Sequence, residues 1–499
     1  MPYVMSLDCS TTSVKAIIWD LQGSIVAQGR APLTVQTPAP GWMEQDAESW
    51  WRATGDATRQ ALYAVDASQV AAVGLTWQRE TFVALDVDDQ PLRPAILWCD
   101  QRATREVEQG KEIFRARRFH RLSGKQLDTT PSFVKLAWMR AHEPELYRHI
   151  ARVLDVGGYL AWRLTSVRRT CVAGADSTGL LDIATGRWSR SLLRYVGLRA
   201  TQMARLVPPG GLLGRITGEA ALATGLERGT PVIAAGGDGQ VFAVGVRADR
   251  PEVLSLTVGT SLVLGAPWPT YRISHAYRTM VGCDPGTYLL EGVLRAGAEI
   301  VRWFVEDFAP GQSVDALEAQ IAAIPAGSLG LITVPLWKGR MVPTNEPLAR
   351  GMTIGWSDYH TLAHFYRSIL EGIAFEVRAL VAAYEEELGI QTREIHLGGG
   401  GALSATWPQI MADVTGREIV LSAVESTSLG AAMLAAAGIG AYPSVRAASA
   451  AMYRPTARLR PGAAATVYDT LYEKHYQLLY LFNHHFLEEL GRFALEGTG

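Results

Sequence analysis

One pattern occurs twice in this chain, and it limits the possible fold more than any other feature. Near the start, MSLDCSTTSVKAIIWD is an apolar run, a hydroxyl-rich turn and a second apolar run, and LQGS leads to a third segment, SIVAQGRAPL. Just past the midpoint, EVLSLTVGTSLVLGAP repeats the scheme, and TYLLEGVLRAGAEIVRWFVEDF adds another strand and then a helix. Each half therefore opens with an antiparallel strand meander. Elsewhere strands alternate with helices. DAESWWRATGDATRQALYAV sets Trp50, Ala57, Ala61, Leu62 and Val65 at helical spacing behind Asp46, a residue type that caps helices, and AAVGLTWQ returns to strand. HTLAHFYRSILEGIAFEVRALVAAYEEEL reads as a long half-buried helix, and EIHLGGGGALSATWPQIMADVTG as a strand, four glycines and a helix. This succession predicts α/β layers with mixed sheets. At 499 residues the chain exceeds what one core supports, so two domains are expected, 1–241 and 242–499.

Several function classes fall away on composition. The formal charge of −2 and the lack of a basic run interleaved with aromatics exclude a nucleic-acid partner. No window approaches ~18 uninterrupted apolar residues, so no membrane span is expected, and the N-terminus lacks a basic stretch followed by an apolar one, as expected for a chain without a leader. The four cysteines are scattered without CxxC spacing, which fits a reduced, cytoplasmic setting and no structural zinc. His360 and His364 have the i,i+4 spacing of metal ligands but lack the glutamate of a zinc-protease helix.

Two turns could wrap phosphate: DCSTTS at Asp8 to Ser13 and TVGTS at Thr257 to Ser261, where small residues let backbone N–H groups approach and hydroxyls add donors. Other nucleotide motifs are missing. Gly124-Lys125 has Phe119 and Gln126 where a GxxxxGK[ST] loop needs glycine and a hydroxyl, neither GGDGQVF nor GGGGALS fits GxGxxG, and there is no GxSxG elbow. In VIAAGGDGQVFAVGV a single acid, Asp238, stands among glycines and aliphatics with no basic neighbour. That arrangement suits either a turn or a base that takes a proton from an attacking hydroxyl.

With these segments in order, the chain resembles the FGGY carbohydrate kinases of the sugar kinase, heat-shock ATPase and actin superfamily. The resemblance runs from LDCSTTSVKAIIWD to SLGAAMLAAAGIGAY. It is most specific in PSFVKLAW (131–138), HFYRSILEG (364–372) and GGGGALSATWPQIMADVTG (398–416). It implies two actin-like (ribonuclease H-like) domains closing on ATP, and phosphoryl transfer to a sugar or polyol hydroxyl. Asp238 then matches the catalytic base, but Gly239 stands where members have Asn or Gln, so one side-chain contact to substrate is missing. Thr11, Thr12 and Ser13 match the first phosphate loop, Asp8 the acid near Mg²⁺, and Thr260 the second loop. Gly297 matches a helix start near the nucleotide, and Gly400, Gly401 and Ser404 match the adenosine-binding turn. Lys15 suits either a phosphate ligand or a solvated strand residue.

For the acceptor, Gln78, Arg79 and Glu80 in GLTWQRETFVALD resemble the QRET of glycerol kinases. A guanidinium donates to hydroxyl oxygens and a carboxylate accepts from hydroxyls, so the pair suits a sugar. MEQDAESWW, ILWCDQRA and GRMVPTNEPLARG instead resemble xylulokinase segments, and DTTPS at 128–132 lacks the aromatic of glycerol kinases. The framework therefore implies a ketopentose such as D-xylulose, with glycerol or another polyol as the alternative. Outside catalysis, an actin-like nucleotide-binding sugar sensor is the other reading. A homodimer is the default assembly.

Overall fold

The computed structural model describes residues 2–496 except 296, 343, 345, 347 and 424, with the backbone alone described at 115, 116 and 494–496. Three positions of GRMVPTNEPLARG thus lie outside the described residues. The repeated sequence pattern becomes two sheets of matching plan. In the first, Tyr3–Cys9, Ser13–Trp19 and Ile25–Pro32 form the antiparallel meander. Val70–Trp77 and Pro231–Gly237 then add in parallel, and Leu212–Arg215 closes the edge antiparallel. In the second, Val253–Val258, Leu262–Trp268 and Tyr288–Leu294 form the meander, Glu394–Gly398 and Glu418–Leu421 add in parallel, and Ala457–Leu459 closes the edge. The second sheet also carries Arg278–Val281 beside Tyr288–Leu294. A smaller sheet in the first half, with Phe82–Leu85 at its centre, has its own core around Phe119, Phe133 and Leu136.

The helices follow their local chemistry. Ala47–Leu62 starts where the Asp46 carboxylate accepts the Glu48 N–H, and it buries Trp50, Ala57 and Ala61. Leu362–Leu388 is the expected long helix, with Ile369, Ile373, Val377, Leu380 and Tyr384 in the second core. His360 and His364 accept backbone N–H groups of Ser357 and Thr361 at its start, so their spacing serves a cap and a turn.

The chain crosses between the sheets through the helix Asp238–Gly245. A later segment returns to the first half. Ser426–Gly438 places Ala431 and Leu434 in the core with Leu7 and Leu75. It crosses Asp238–Gly245 at two glycines, where a Cβ on Gly245 would lie 1.8 Å from Ser426 O and one on Gly430 2.2 Å from Val241 O. Only residues without a side chain let these backbones approach so closely. The crossing fixes the helix that begins at Asp238. No helix among the described residues is long and apolar enough to cross a membrane.

Candidate active site

Parallel strands deliver their C-terminal ends, and the loops beyond them, to one side of a sheet, which is where α/β folds bind ligands. In the first half, Asp8 pairs with Thr76 and Trp77 with Gly237, so Asp8, Arg79, Glu80 and Asp238 emerge together. In the second half Thr257 pairs with Gly398, which brings the Thr260 loop beside the glycine turn. Between the halves lies a cavity of about 510 Å³, walled by Arg79, Glu80 and Asp238 on one side and Thr260, Ser261 and Arg278 on the other.

The basic partner that Asp238 lacks in sequence arrives from 159 residues away. Arg79 Nε donates to Asp238 Oδ1 at 3.0 Å, and the Gly239 N–H donates to the same oxygen at 2.8 Å. Among the described residues the second oxygen of Asp238 takes no protein donor, and the side chain keeps 41% of its exposure. Burial pushes its carboxyl above the usual range, with Arg79 and the Gly239 N–H pulling the other way. The flanking glycines have a steric reason. A Cβ on Gly237 would sit 2.5 Å from Arg79 Cγ, and one on Gly239 would sit 2.6 Å from Arg79 Nη2 and 3.0 Å from Glu291 Oε2. Arg79 therefore fills the space that a side chain at 239 would take.

Glu80 has φ +58, a left-handed conformation that a residue with a Cβ adopts at a cost. Its backbone is held on both sides, since its N–H donates to Ser177 Oγ at 3.1 Å and its carbonyl accepts from Ser132 Oγ at 2.7 Å. Ser132 is the second residue of PSFVKLAW, and Lys135 from the same segment donates to the carbonyls of Trp98 and Thr130 on the cavity wall. That motif braces the cavity wall around Glu80. HFYRSILEG lies elsewhere: Arg367 pairs with Glu371, which also accepts from Gly327 N, Ser328 and Tyr468.

Gln78 takes a different place from its neighbours. It is 2% exposed, accepts from Thr11 Oγ1 at 3.0 Å and Thr81 Oγ1 at 3.2 Å, and is absent from the cavity wall. Its Nε2 donates to Gln45 Oε1 at 3.2 Å and to Ser10 O at 3.5 Å, so the buried amide is committed to protein and ties the Thr11 turn to the strand end. In that loop Thr11 also accepts from Trp98 Nε1, Thr12 is exposed, and Ser13 is buried with its hydroxyl unpartnered. Lys15 donates to both oxygens of Glu425 at 2.9 Å, so it bridges the halves.

Asp8 is 7% exposed, and its Oδ1 is buried without a hydrogen-bond partner. Burial and the nearby Asp238 charge push its carboxyl up to about 7, against the pull of Lys15. A buried carboxyl with an orphaned oxygen, raised further by the Asp238 charge, is a hard oxygen donor that fits Mg²⁺.

On the nucleotide side, a Cβ on Gly297 would lie 2.5 Å from Thr260 O, and Ala298 N–H donates to Gly259 O at 2.9 Å. The helix Ala298–Asp307 thus starts against the second loop. Gly399 (φ +91) and Gly401 pack on Val258, while a Cβ on Gly400 would meet nothing within 4 Å. Ser404 Oγ accepts the Trp407 N–H at 2.9 Å and starts the next helix. The cavity wall also takes Trp98, Gln101, Arg278, Arg295 and Lys338, which sequence reasoning did not single out. Of these, Trp98 and Gln101 lie in ILWCDQRA, which was compared as framework, Arg295 lies in TYLLEGVLRAGAEIVRWFVEDF, which was read only for its strand and helix, and Arg278 and Lys338 fall outside every segment used.

Two similar mixed-sheet domains with phosphate-type loops facing across a cleft, and an acid between them, define a sugar-kinase arrangement. The model for the FGGY family of carbohydrate kinases, N-terminal domain, matches residues 3–245, and that for the C-terminal domain matches 254–439. The chain belongs to the FGGY family and is a carbohydrate kinase. It is 29% identical to a xylulose kinase of Bacillus subtilis (95% of this chain, 96% of the relative). It is 31% identical to an autoinducer-2 kinase of Yersinia enterocolitica (89% and 87%) and 31% to a glycerol kinase of Dechloromonas aromatica (93% and 94%). The crystal structure of a xylulose kinase from Rhodospirillum rubrum superposes with a TM-score of 0.89 at 29% identity, covering 97% and 99% of the two chains.

Proposed function

We propose that the protein transfers the γ-phosphate of ATP to a hydroxyl of a neutral sugar, a ketopentose such as D-xylulose. The observation that carries this reading is the row of groups left open at the cleft: Asp238 with a free oxygen, Arg79 and Glu80 with free atoms beside it, and the Thr260 loop opposite. Asp238 orients the acceptor hydroxyl and takes its proton during in-line attack. Thr12 and Thr260, with the backbone N–H groups of their loops, hold the β- and γ-phosphates. The turn around Gly400 is open for the adenosine. Asp8 would hold Mg²⁺, which would supply positive charge against the negative charge developing on the phosphates. Braced by Ser132 and Ser177, Glu80 accepts from sugar hydroxyls while Arg79 donates to them.

Charge favours a neutral acceptor. The two guanidiniums beside Asp238 and Glu80, Arg79 and Arg278, are both paired to carboxylates, which disfavours a sugar acid or sugar phosphate there, while among the described residues Arg295 on the same cavity wall is in no salt bridge. A polyol such as glycerol is the second reading, favoured by the side-by-side Arg79 and Glu80. A coupled ADP-release assay with Mg-ATP against D- and L-xylulose, D- and L-ribulose, glycerol, erythritol, xylitol, gluconate and a no-sugar control tests both. The ketopentose reading expects one ketopentose to give the highest kcat/KM. A preference for glycerol or another polyol replaces it with the second reading, and a preference for gluconate contradicts both.

A further inference from the structure

The acceptor ligands of the first half are held by charged residues of the second. Glu291, in the strand Tyr288–Leu294, has a fully buried side chain. Its Oε2 accepts from Arg79 Nη1 at 2.7 Å and its Oε1 from Arg278 Nε at 2.7 Å, with Arg278 Nη2 also bonded. Arg278, in the neighbouring strand Arg278–Val281, reaches across the cleft, and its Nη1 donates to Glu80 Oε1 at 2.9 Å. The result is a continuous row of alternating charge, Asp238–Arg79–Glu291–Arg278–Glu80, begun and ended by first-half residues and joined by two second-half ones. Among the described residues, Arg79 Nη2, Glu80 Oε2 and the second oxygen of Asp238 make no hydrogen bond to protein.

We propose that Glu291 and Arg278 are positioning residues for the sugar: Glu291 aims Arg79, Arg278 fixes Glu80, and acceptor selection therefore depends on the second half. This rests on the neutral-sugar reading above. A guanidinium or carboxylate free to rotate would present its open atoms in many directions, whereas each is bonded here on the side away from its free atom. The second half thus takes part in choosing the acceptor as well as binding the nucleotide.

The two guanidiniums of the row favour the ionised form of Glu80 against its burial. Burial raises its carboxyl above the usual range, Arg278 and Arg79 lower it, and Glu291 and Asp238 add to the rise. Two further cations feel the Glu80 charge, Lys135 and Lys125, both of them buried. Removing Arg278 takes away the cation that touches Glu80 directly.

The test is steady-state kinetics of the full-length Glu291→Gln and Arg278→Met variants with the best acceptor of the wild type, alongside Glu291→Asp and Arg278→Lys. Loss of one charge-assisted hydrogen bond predicts an acceptor KM raised about 10- to 100-fold. The KM for ATP should change less than twofold, and the conservative variants should recover part of the loss. In Arg278→Met the acidic limb of kcat/KM for the acceptor should also move to higher pH, because Glu80 takes up its proton more readily. An acceptor KM within twofold of wild type in both variants would overturn the proposal. So would equal losses toward ATP and acceptor, or failure of the conservative variants as well, since either marks a purely structural role. A wild type that phosphorylates no neutral sugar is a different result, and it removes the functional reading itself.

Discussion

Gly239 shows how one residue can look like a defect in sequence and a requirement in structure. At the position where the family resemblance implies Asn or Gln, a Cβ would meet Arg79 Nη2 at 2.6 Å and Cζ at 2.9 Å, and the guanidinium is already held by Asp238, Gln240 and Glu291. Gly239→Ala should therefore push Arg79 off its partners and raise the acceptor KM about tenfold, with little effect on the KM for ATP; kinetics of the purified variant check this. Asp238 and Arg79 stood out as a candidate base and a candidate ligand because family motifs surround them. Their contact was not, since nothing local links residues 159 positions apart. Gln78 shows the converse. Its motif placed it among the acceptor ligands, but burial under the first phosphate loop gives its amide to Thr11 and Thr81.

At the scale of elements, the strands and helices followed from periodicity and punctuation. Asp46 begins a helix where expected, three glycines, Gly399 to Gly401, follow the strand Glu394–Gly398 ahead of Trp407–Thr415, and the doubled meander became two sheets of one plan. Less legible were elements whose place depends on distant partners. Arg278–Val281 is a short strand whose Thr279 N–H donates to Gly124 O of the other half at 2.8 Å, and no sequence pattern announces such an edge. The start of the helix Ala298–Asp307 carries its own prediction. A methyl on Gly297 would strike Thr260 O at 2.5 Å and Gly259 O at 2.8 Å, both backbone atoms that cannot swing aside. Gly297→Ala should displace the second phosphate loop and raise the KM for ATP at least about tenfold, more than it raises the acceptor KM; the two constants measured on one preparation distinguish these effects.

For the whole molecule, the halves meet through more than the active site. His120, near the end of the helix Thr104–Ser123, lies 6.2 Å ring to ring from His275 of the second half, with its Nε2 buried and unpartnered. Burial, then His275 and Lys125, holds its pKa down at about 4 from an ordinary 6.5. Because the unfolded chain binds this proton first, His120 contributes stability above about pH 6.5 that is lost as pH falls toward about 4, up to roughly 3 kcal/mol. Thermal melts at pH 7 and pH 4.5 should show a smaller acid-induced fall in Tm for His120→Phe than for the wild type; an equal fall would place the acid sensitivity elsewhere. The cleft that these contacts frame is where the account stands or falls. Its most direct test compares the wild type with Asp238→Asn, by calorimetric ATP binding and by turnover of the best acceptor. If Asp238 is the base between two nucleotide-gripping halves, ATP affinity should stay within a few-fold while kcat falls by about 100- to 10,000-fold. Near-normal turnover in the Asn variant would contradict it.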